Sequence, residues 1–193
     1  MPAMTNRAKK AIATKNRIYE CGVKLMHEKG FDEITISEIA KEAGISVGTY
    51  YYYFDSKTDL FREIFSRVDD FFMTWVKEPM QSDSYSERII SFFEHYAKLV
   101  EDDGITIIKK LYTPENKMFT VEGRFMQNVL KEVIEEGQRS GELNTLYSAQ
   151  HYTDYLFVVG RGIVFEWCLR DGKIDLKQQF RTIINLVVKS MAK

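Results

Sequence analysis

The fold of this chain is decided by residues 35–60, which read TISEIAKEAGISVGTYYYYFDSKTDL. Thr35 and Glu38 fit a capping box, in which each side chain satisfies an unpaired backbone N–H of the other residue. Gly44 is a typical helix stop, and Ser46 can cap the helix that follows it. The pattern therefore predicts two short helices joined by a tight turn, over residues 36–43 and 47–53.

The second of these helices carries four tyrosines in succession, Tyr50–Tyr53. At about 100° per residue, four consecutive side chains fan around most of a helix, so they cannot all face one core. We expect Tyr51 and Phe54 to pack inward and the other three tyrosines to be exposed. The major groove of a DNA duplex offers such rings thymine methyl groups and phosphate oxygens. Surface tyrosines without any partner are the weaker alternative.

A longer helix is predicted before this segment, over residues 12–28, with Gly30 as its stop. Five basic residues come before the first acidic one: Arg7, Lys9, Lys10, Lys15 and Arg17. Residues 1–62 carry 10 basic and 8 acidic side chains, whereas residues 63–193 carry 17 and 20, so the two parts have net charges of +2 and −3. A basic arm suits a polyanion such as DNA, although a frayed, solubilising terminus has the same composition.

Residues 35–60 resemble the TetR family of bacterial transcription regulators. The matching features are the Ala-Gly-Ile-Ser turn, Gly48, Tyr51 followed by Tyr53-Phe54, and Lys57 and Leu60, which open the next helix. The family often has histidine where Tyr53 stands, and a tyrosine hydroxyl can also reach a phosphate. The resemblance is specific but covers about a quarter of the chain, and the remainder matches only in architecture.

The resemblance implies an all-α chain with two domains. Residues 1–56 would form a three-helix helix-turn-helix DNA-binding domain, and residues 57–193 a helical ligand-binding and dimerisation domain. The second short helix would then lie in the major groove. The positions implied near base edges are Ser37, Val47, Thr49, Tyr50 and Tyr52. Those implied near backbone oxygens are Thr35, Ser46, Tyr51, Tyr53 and Lys57.

The chemistry of the predicted recognition helix bears on how DNA is read. Gly48 keeps the start of the helix slim enough for close approach, or makes room for a packing contact inside the protein. Lys57 adds positive charge to helix N–H groups that already favour phosphate, unless it is an ordinary solvated lysine. No Arg or Asn lies within residues 47–53. We therefore expect sequence preference to depend more on thymine contacts and DNA shape than on guanine.

Residues 155–169, within a helix predicted over 147–170, are apolar nearly all round, and such a helix must be covered on every side. A monomer with this helix at its centre satisfies that need, and so does a partner chain. The resemblance implies the second arrangement, a homodimer through residues 147–191. Two recognition helices about 34 Å apart would then bind a palindromic operator in double-stranded DNA.

Several residues of the C-terminal part are candidates for the binding of a small-molecule effector, whose identity the sequence leaves open. They are Phe92, His95, Tyr96, Tyr112, Phe119, Met126, Tyr152 and Arg161. Aromatic residues at helical spacing are more often plain core. For His95 the simpler interpretation is a satisfied core histidine, and for Arg161 an ion pair with Asp154 or Glu166.

Other function classes find little support. The longest apolar stretch is shorter than the roughly 20 residues of a membrane span, and no secretory signal begins the chain, so we expect a cytoplasmic protein. Cys21 and Cys168 lack metal-type spacing, and neither HExxH nor a Gly-rich phosphate loop occurs. We expect no enzyme activity, no cofactor and no metal. The favoured function is a dimeric repressor released from DNA by an effector, and the alternative is an effector-independent DNA-binding or helical adaptor protein.

Overall fold

The computed structural model describes residues 5–75, 82 and 84–193, and the described part is all-α, as predicted. Its helices are α1 (Asn6–Lys29), α2 (Ile36–Glu42), α3 (Val47–Tyr53), α4 (Asp59–Trp75), α5 (Tyr85–Asp103), α6 (Ile105–Leu111), α7 (Phe125–Ser140), α8 (Ala149–Leu169) and α9 (Leu176–Met191), with a 3₁₀ turn at Lys117–Thr120. Pro79, which the sequence indicates as the stop of the helix that begins near Leu60, lies outside the described residues.

The chain divides into two compact units between residues 66 and 67, rather than between 56 and 57 as the sequence suggested. The division falls within α4, whose first turns belong to the N-terminal unit. Leu60 is fully buried there. A Cβ atom on Gly22 of α1 would lie 2.8 Å from the Cδ1 atom of Leu60, so the glycine allows the close approach of these two helices.

α1 begins six residues earlier than predicted, because Thr5 caps it by accepting a hydrogen bond from the Ala8 amide at 3.3 Å. The basic residues that precede Glu20 are therefore helical, which corrects the alternative of a frayed arm. Gly30 ends the helix with a φ of 85°, in the region that favours glycine.

The predicted caps of the helix-turn-helix are present. The Glu38 amide donates to Thr35 Oγ1 at 3.2 Å, and the Thr35 amide donates to Glu38 Oε2 at 2.9 Å, which completes the capping box. Gly44 turns the chain with a φ of 63°, and Ser46 Oγ accepts from the Thr49 amide at 3.0 Å. These local hydrogen bonds fix where α2 and α3 begin.

The C-terminal unit is built around packed aromatic rings. Phe93 of α5 stacks on Phe180 of α9, with ring centroids 5.7 Å apart. Gly160 of α8 is buried, and a Cβ atom there would lie 3.1 Å from the Phe93 ring. Gly160 therefore permits the close approach of α8 and α5 within one chain.

Candidate nucleic-acid interface and effector site

The structure reverses the expected orientation of two tyrosines in α3. Tyr50 is fully buried, packs against Phe54 with ring centroids 5.5 Å apart, and donates its hydroxyl to Ser56 O at 3.1 Å. Burial raises its pKa. Tyr51, expected in the core, is 51% exposed. Tyr50 and Phe54 lie one helical turn apart and therefore share the inward face, which removes Tyr50 from the candidate base-reading residues.

The outward face of α3 is formed by four residues: Val47, Gly48, Tyr51 and Tyr52. Tyr52 is 77% exposed and Val47 is 39% exposed. Tyr53 is half-buried, and its ring meets that of Tyr52 edge-on at 5.0 Å. This face is apolar, apart from the phenol hydroxyls.

Gly48 faces open space. A Cβ atom built there would meet only Ser46 Oγ, at an ordinary distance of 3.8 Å. The packing alternative for Gly48 is therefore wrong, because nothing inside the protein requires its missing side chain.

The hydroxyl groups near α3 are engaged in capping. Ser46 Oγ and Thr49 Oγ1 are hydrogen-bonded at 2.9 Å, and Thr35 Oγ1 donates to Glu38 Oε2 at 2.9 Å. Ser37 is exposed at the start of α2. These side chains lie around the outward face of α3, but several of them already serve the helix ends.

The ammonium group of Lys57 forms its hydrogen bonds inside the N-terminal unit. Its ammonium donates to Phe31 O at 2.6 Å, Ile34 O at 2.8 Å and Asp32 O at 3.3 Å. It also lies 4.4 Å from the centroid of the Phe31 ring. All three N–H donors are used in tying α4 to the segment after α1, which corrects the expected phosphate contact.

Lys57→Met keeps the aliphatic stem and removes these donors. We expect it to lower the free energy of unfolding by about 1.5 kcal/mol, because hydrogen bonds from a charged group are lost. Urea denaturation measures this effect, with Lys41→Met, an exposed lysine on α2, as the control. Unchanged stability together with DNA binding that is weaker and less salt-dependent would restore the phosphate role.

The remaining positive charge of the N-terminal unit lies mainly on α1. Arg7, Lys9, Lys10 and Arg17 are exposed, whereas Lys15 pairs with Glu63 at 2.5 Å. Two further lysines are paired with acids of α2: Lys24 with Glu42 at 2.6 Å and Lys29 with Glu38 at 2.8 Å. The first turns of α1 thus provide exposed cations suited to a polyanion.

In the C-terminal unit, the structure brings several candidate effector residues together. Phe92 is fully buried and stacks on Phe72 at 4.3 Å. The hydroxyls of Tyr96 and Tyr112 are 2.5 Å apart, and the Phe119 ring lies 4.6 Å from that of Tyr112. An apolar aromatic interior is thus joined to a hydrogen-bonded pair of phenols, of which Tyr96 is buried and Tyr112 half-buried.

Arg161 of α8 adds positive charge to this pair. Burial raises the pKa of both Tyr96 and Tyr112, and the charge of Arg161 opposes that rise. Neither expected ion pair is present, because Asp154 accepts from Gln150 and Glu166 pairs with Arg170. Among the described residues, no hydrogen bond or ion pair of Arg161 is found, and its guanidinium is available to a ligand.

The other candidates are placed differently. His95 Nδ1 is 2.8 Å from Ser91 O, which agrees with a satisfied core histidine. The Tyr152 hydroxyl donates to Asn144 Oδ1 at 2.5 Å, and Met126 is buried, with its amide donating to Asp69 Oδ1 at 3.2 Å. For these three residues, the contacts found are those of structural groups.

Two hollows lie near the end of α7, with volumes of about 220 and 380 Å³. Gln138 and Thr145 line both. None of the predicted effector residues lines either hollow.

One face of α8 is apolar and exposed. Tyr155, Val158, Phe165 and Leu169 are each at least half exposed, and Gly162 lies between them with no atom near its missing side chain. Their spacing of three and four residues places them on a single stripe. α9 adds Leu186, which is 63% exposed. Within one chain, α8 is therefore not covered on every side.

Within residues 5–75, 82 and 84–193, no helix has the length and apolar character needed to cross a bilayer. The same part of the chain contains no group of three His, Cys, Asp or Glu side chains arranged to hold a metal ion.

A capped helix-turn-helix with an exposed recognition helix and a basic first helix defines a DNA-binding protein. The sequence model described as bacterial regulatory proteins of the tetR family matches residues 18–64, and that of the YsiA-like protein C-terminal region matches residues 77–190. The chain belongs to the TetR family and is a DNA-binding transcription regulator.

Individual relatives match over nearly the full length. The fatty acid metabolism regulator protein of Bacillus subtilis (strain 168) is 22% identical over 182 residues, which cover 91% of this chain and 94% of the relative. The structure of B. subtilis FadR with stearoyl-CoA has a TM-score of 0.70 at 20% identity and covers 91% of this chain and 98% of that one. Thermus thermophilus FadR with lauroyl-CoA has a TM-score of 0.70 at 19% identity, with 93% and 95% covered.

Proposed function

We propose that the protein is a cytoplasmic, homodimeric repressor that leaves a palindromic operator when it binds a long-chain acyl-CoA. The observation that carries the proposal is the exposed, apolar outward face of α3 on a helix-turn-helix. Acyl-CoA is proposed as the effector because two proteins of the same fold, matched over nine-tenths of this chain, are described in complex with acyl-CoA.

On the DNA side, the proposed contacts come from two short helices and their caps. Val47, Gly48, Tyr51 and Tyr52 approach the bases and the adjoining backbone, and Thr35, Ser37, Ser46, Thr49 and Tyr53 lie around them. The exposed cations of α1 contact phosphates. Tyr50 and Lys57 act on DNA only indirectly, by holding α3 and α4 in place.

On the effector side, the proposed site combines an apolar interior with one polar end. The rings around Phe92 and Phe93 suit an acyl chain, since burial of each CH₂ group contributes about 0.8 kcal/mol. Tyr96, Tyr112 and Arg161 provide hydrogen-bond donors and a positive charge for the polar part of the ligand.

The dimer is proposed to form through the exposed stripe of α8 together with α9. A two-fold interface places the same stripe of both chains face to face, which buries apolar side chains that one chain leaves in water. Release then requires that acyl-CoA binds better to a dimer whose recognition helices are wrongly spaced, because equal affinity for both forms shifts nothing. α4 is the natural lever, since it is continuous across the two units.

Fluorescence anisotropy on the upstream region of the protein's own gene tests the proposal. Palmitoyl-CoA is expected to release the protein, whereas palmitate and coenzyme A at equal concentrations do not. Sequence-specific binding that no acyl-CoA relieves would favour the effector-independent alternative. If the protein shows no sequence-specific binding to DNA, the proposed function is wrong.

Arg161→Gln is expected to raise the palmitoyl-CoA concentration needed for release by about tenfold, the value of one charge-assisted hydrogen bond in a partly buried site. Operator affinity without acyl-CoA is expected to stay unchanged. Arg170→Gln on the same helix is the matched control, because Arg170 is exposed and pairs only with Glu166. Equal effects of the two variants would remove Arg161 from the proposed site.

A further inference from the structure

We propose that the operator is read mainly through thymine 5-methyl groups, and that one such methyl in each half-site is seated in the Gly48 notch. The Gly48 notch is the open helix surface over Gly48, on the face that also carries Val47, Tyr51 and Tyr52. This inference rests on the proposed DNA-binding function and names the base that the function depends on.

The first support for the inference is that α3 lacks the side chains that usually read guanine, adenine and cytosine. Residues 31–60 contain no Arg, Asn, Gln or His, and residues 47–53 contain no charged residue. Guanine is usually read by Arg or Lys, adenine by Asn or Gln, and cytosine by Asp or Glu. α3 therefore has no side chain for any of these contacts.

The lysines near α3 do not replace the missing readers. Lys24 and Lys29 are paired with acids of α2, and Lys57 gives its three donors to backbone carbonyls. Thr49, the hydroxyl-bearing residue in the first turn of α3, is hydrogen-bonded to its cap, Ser46. What remains on the outward face is a valine, a glycine and two tyrosine rings.

The second support is the shape of that face. Glycine weakens a helix relative to alanine, so its place in α3 needs a cause. No contact inside the protein explains the glycine, because a Cβ atom at this position would meet only Ser46 Oγ, at 3.8 Å. Tyr51 and Tyr52 follow Gly48 by three and four residues, which makes them its neighbours on the helix surface. The helix surface over Gly48 is therefore open to the outside and flanked by apolar side chains.

A thymine methyl group fits this chemistry better than any other base edge. It is the apolar feature of the major groove, and it is recognised by apolar contact rather than by hydrogen bonds. Val47 supplies methyl groups on one border, and the two rings supply apolar surface on the other.

Deoxyuridine scanning of a selected operator tests the inference, because uracil keeps the hydrogen-bonding edge of thymine and lacks only its methyl. After the operator is found by selection from random DNA, each thymine is replaced in turn. We expect at least one position in each half-site where uracil lowers affinity about fourfold, and about 15-fold when both half-sites are changed. Uracil outside the half-sites is the control and is expected to have no effect.

Two variants connect this effect to the notch. Gly48→Ala fills it, and we expect lower operator affinity, loss of the uracil effect and no loss of thermal stability. Val47→Ala removes one border and is expected to reduce the uracil effect. Lys41→Ala, on the exposed end of α2, is expected to keep the uracil effect in full.

The inference is overturned if uracil is harmless at every position while 7-deazaguanine at one G·C pair costs more than tenfold. It is also overturned if Gly48→Ala keeps the full uracil effect. If selection yields no preferred sequence, the proposed function fails, and this inference with it.

Discussion

Glutamate in place of Phe165 is expected to convert the proposed dimer into a monomer and to lower operator affinity by at least about 100-fold. Phe165 is half exposed and lies in the middle of the apolar stripe of α8. In a two-fold interface the same position occurs on both chains, so two carboxylates would have to be desolvated in one apolar contact.

The effect on DNA follows from the loss of bivalency. In a dimer, the second recognition helix binds its half-site as an intramolecular step at high effective concentration, and a monomer loses this advantage. Sedimentation velocity measures the association state, and fluorescence anisotropy measures operator affinity. Val121→Glu is the control, because Val121 is 43% exposed in the C-terminal unit but lies outside α8 and α9. A Phe165→Glu protein that stays dimeric would exclude this face as the interface.

Local signals in the sequence predicted the parts of the fold that local hydrogen bonds determine. Thr35 and Glu38 are three residues apart, and their capping box fixes the start of α2 within the sequence itself. Which side chains of α3 point inward was not predictable in this way. Four identical side chains give no periodicity, and Tyr50 is the one that points inward, where its ring packs on Phe54 and its hydroxyl reaches Ser56 O.

The roles of charged residues depend on partners that are distant in sequence. Lys57 bonds to carbonyls 23 to 26 residues earlier. A lysine near a helix start is typical of phosphate sites as well, and only the fold separates the two roles. Arg161 is a similar case, because its expected partners on α8, Asp154 and Glu166, are hydrogen-bonded to Gln150 and Arg170 instead.

Glu142 is the charged residue that sequence reasoning missed most clearly. Its carboxylate accepts hydrogen bonds from Ser84 Oγ at 2.8 Å, the Tyr85 amide at 2.9 Å and the Ser86 amide at 2.8 Å. It therefore caps α5 from the loop after α7, more than 50 residues along the chain. Partial burial alone would raise its pKa, but these hydrogen bonds lower the pKa from 4.5 to about 2.

Glu142→Gln is expected to lower the free energy of unfolding at pH 7 by about 2 kcal/mol. The pKa shift alone corresponds to about 3.4 kcal/mol, and the smaller value allows for solvent screening of a carboxylate that is only partly buried. Because the folded-state pKa is depressed, this stabilisation is fully present above about pH 5 and is lost as the pH falls toward 2.

Urea denaturation of wild type and variant at pH 7 and pH 3 measures both parts of this expectation. The two proteins should differ at pH 7 and become more alike at pH 3, because at pH 3 Glu142 is protonated in the unfolded chain but still ionised in the folded protein, so proton uptake favours unfolding of the wild type. Glu132→Gln on α7 is the matched control, since Glu132 is exposed, and it should change stability by less than about 0.5 kcal/mol. If the difference in the free energy of unfolding is the same at pH 7 and pH 3, Glu142 stabilises the loop through its packing and not through its negative charge at the start of α5.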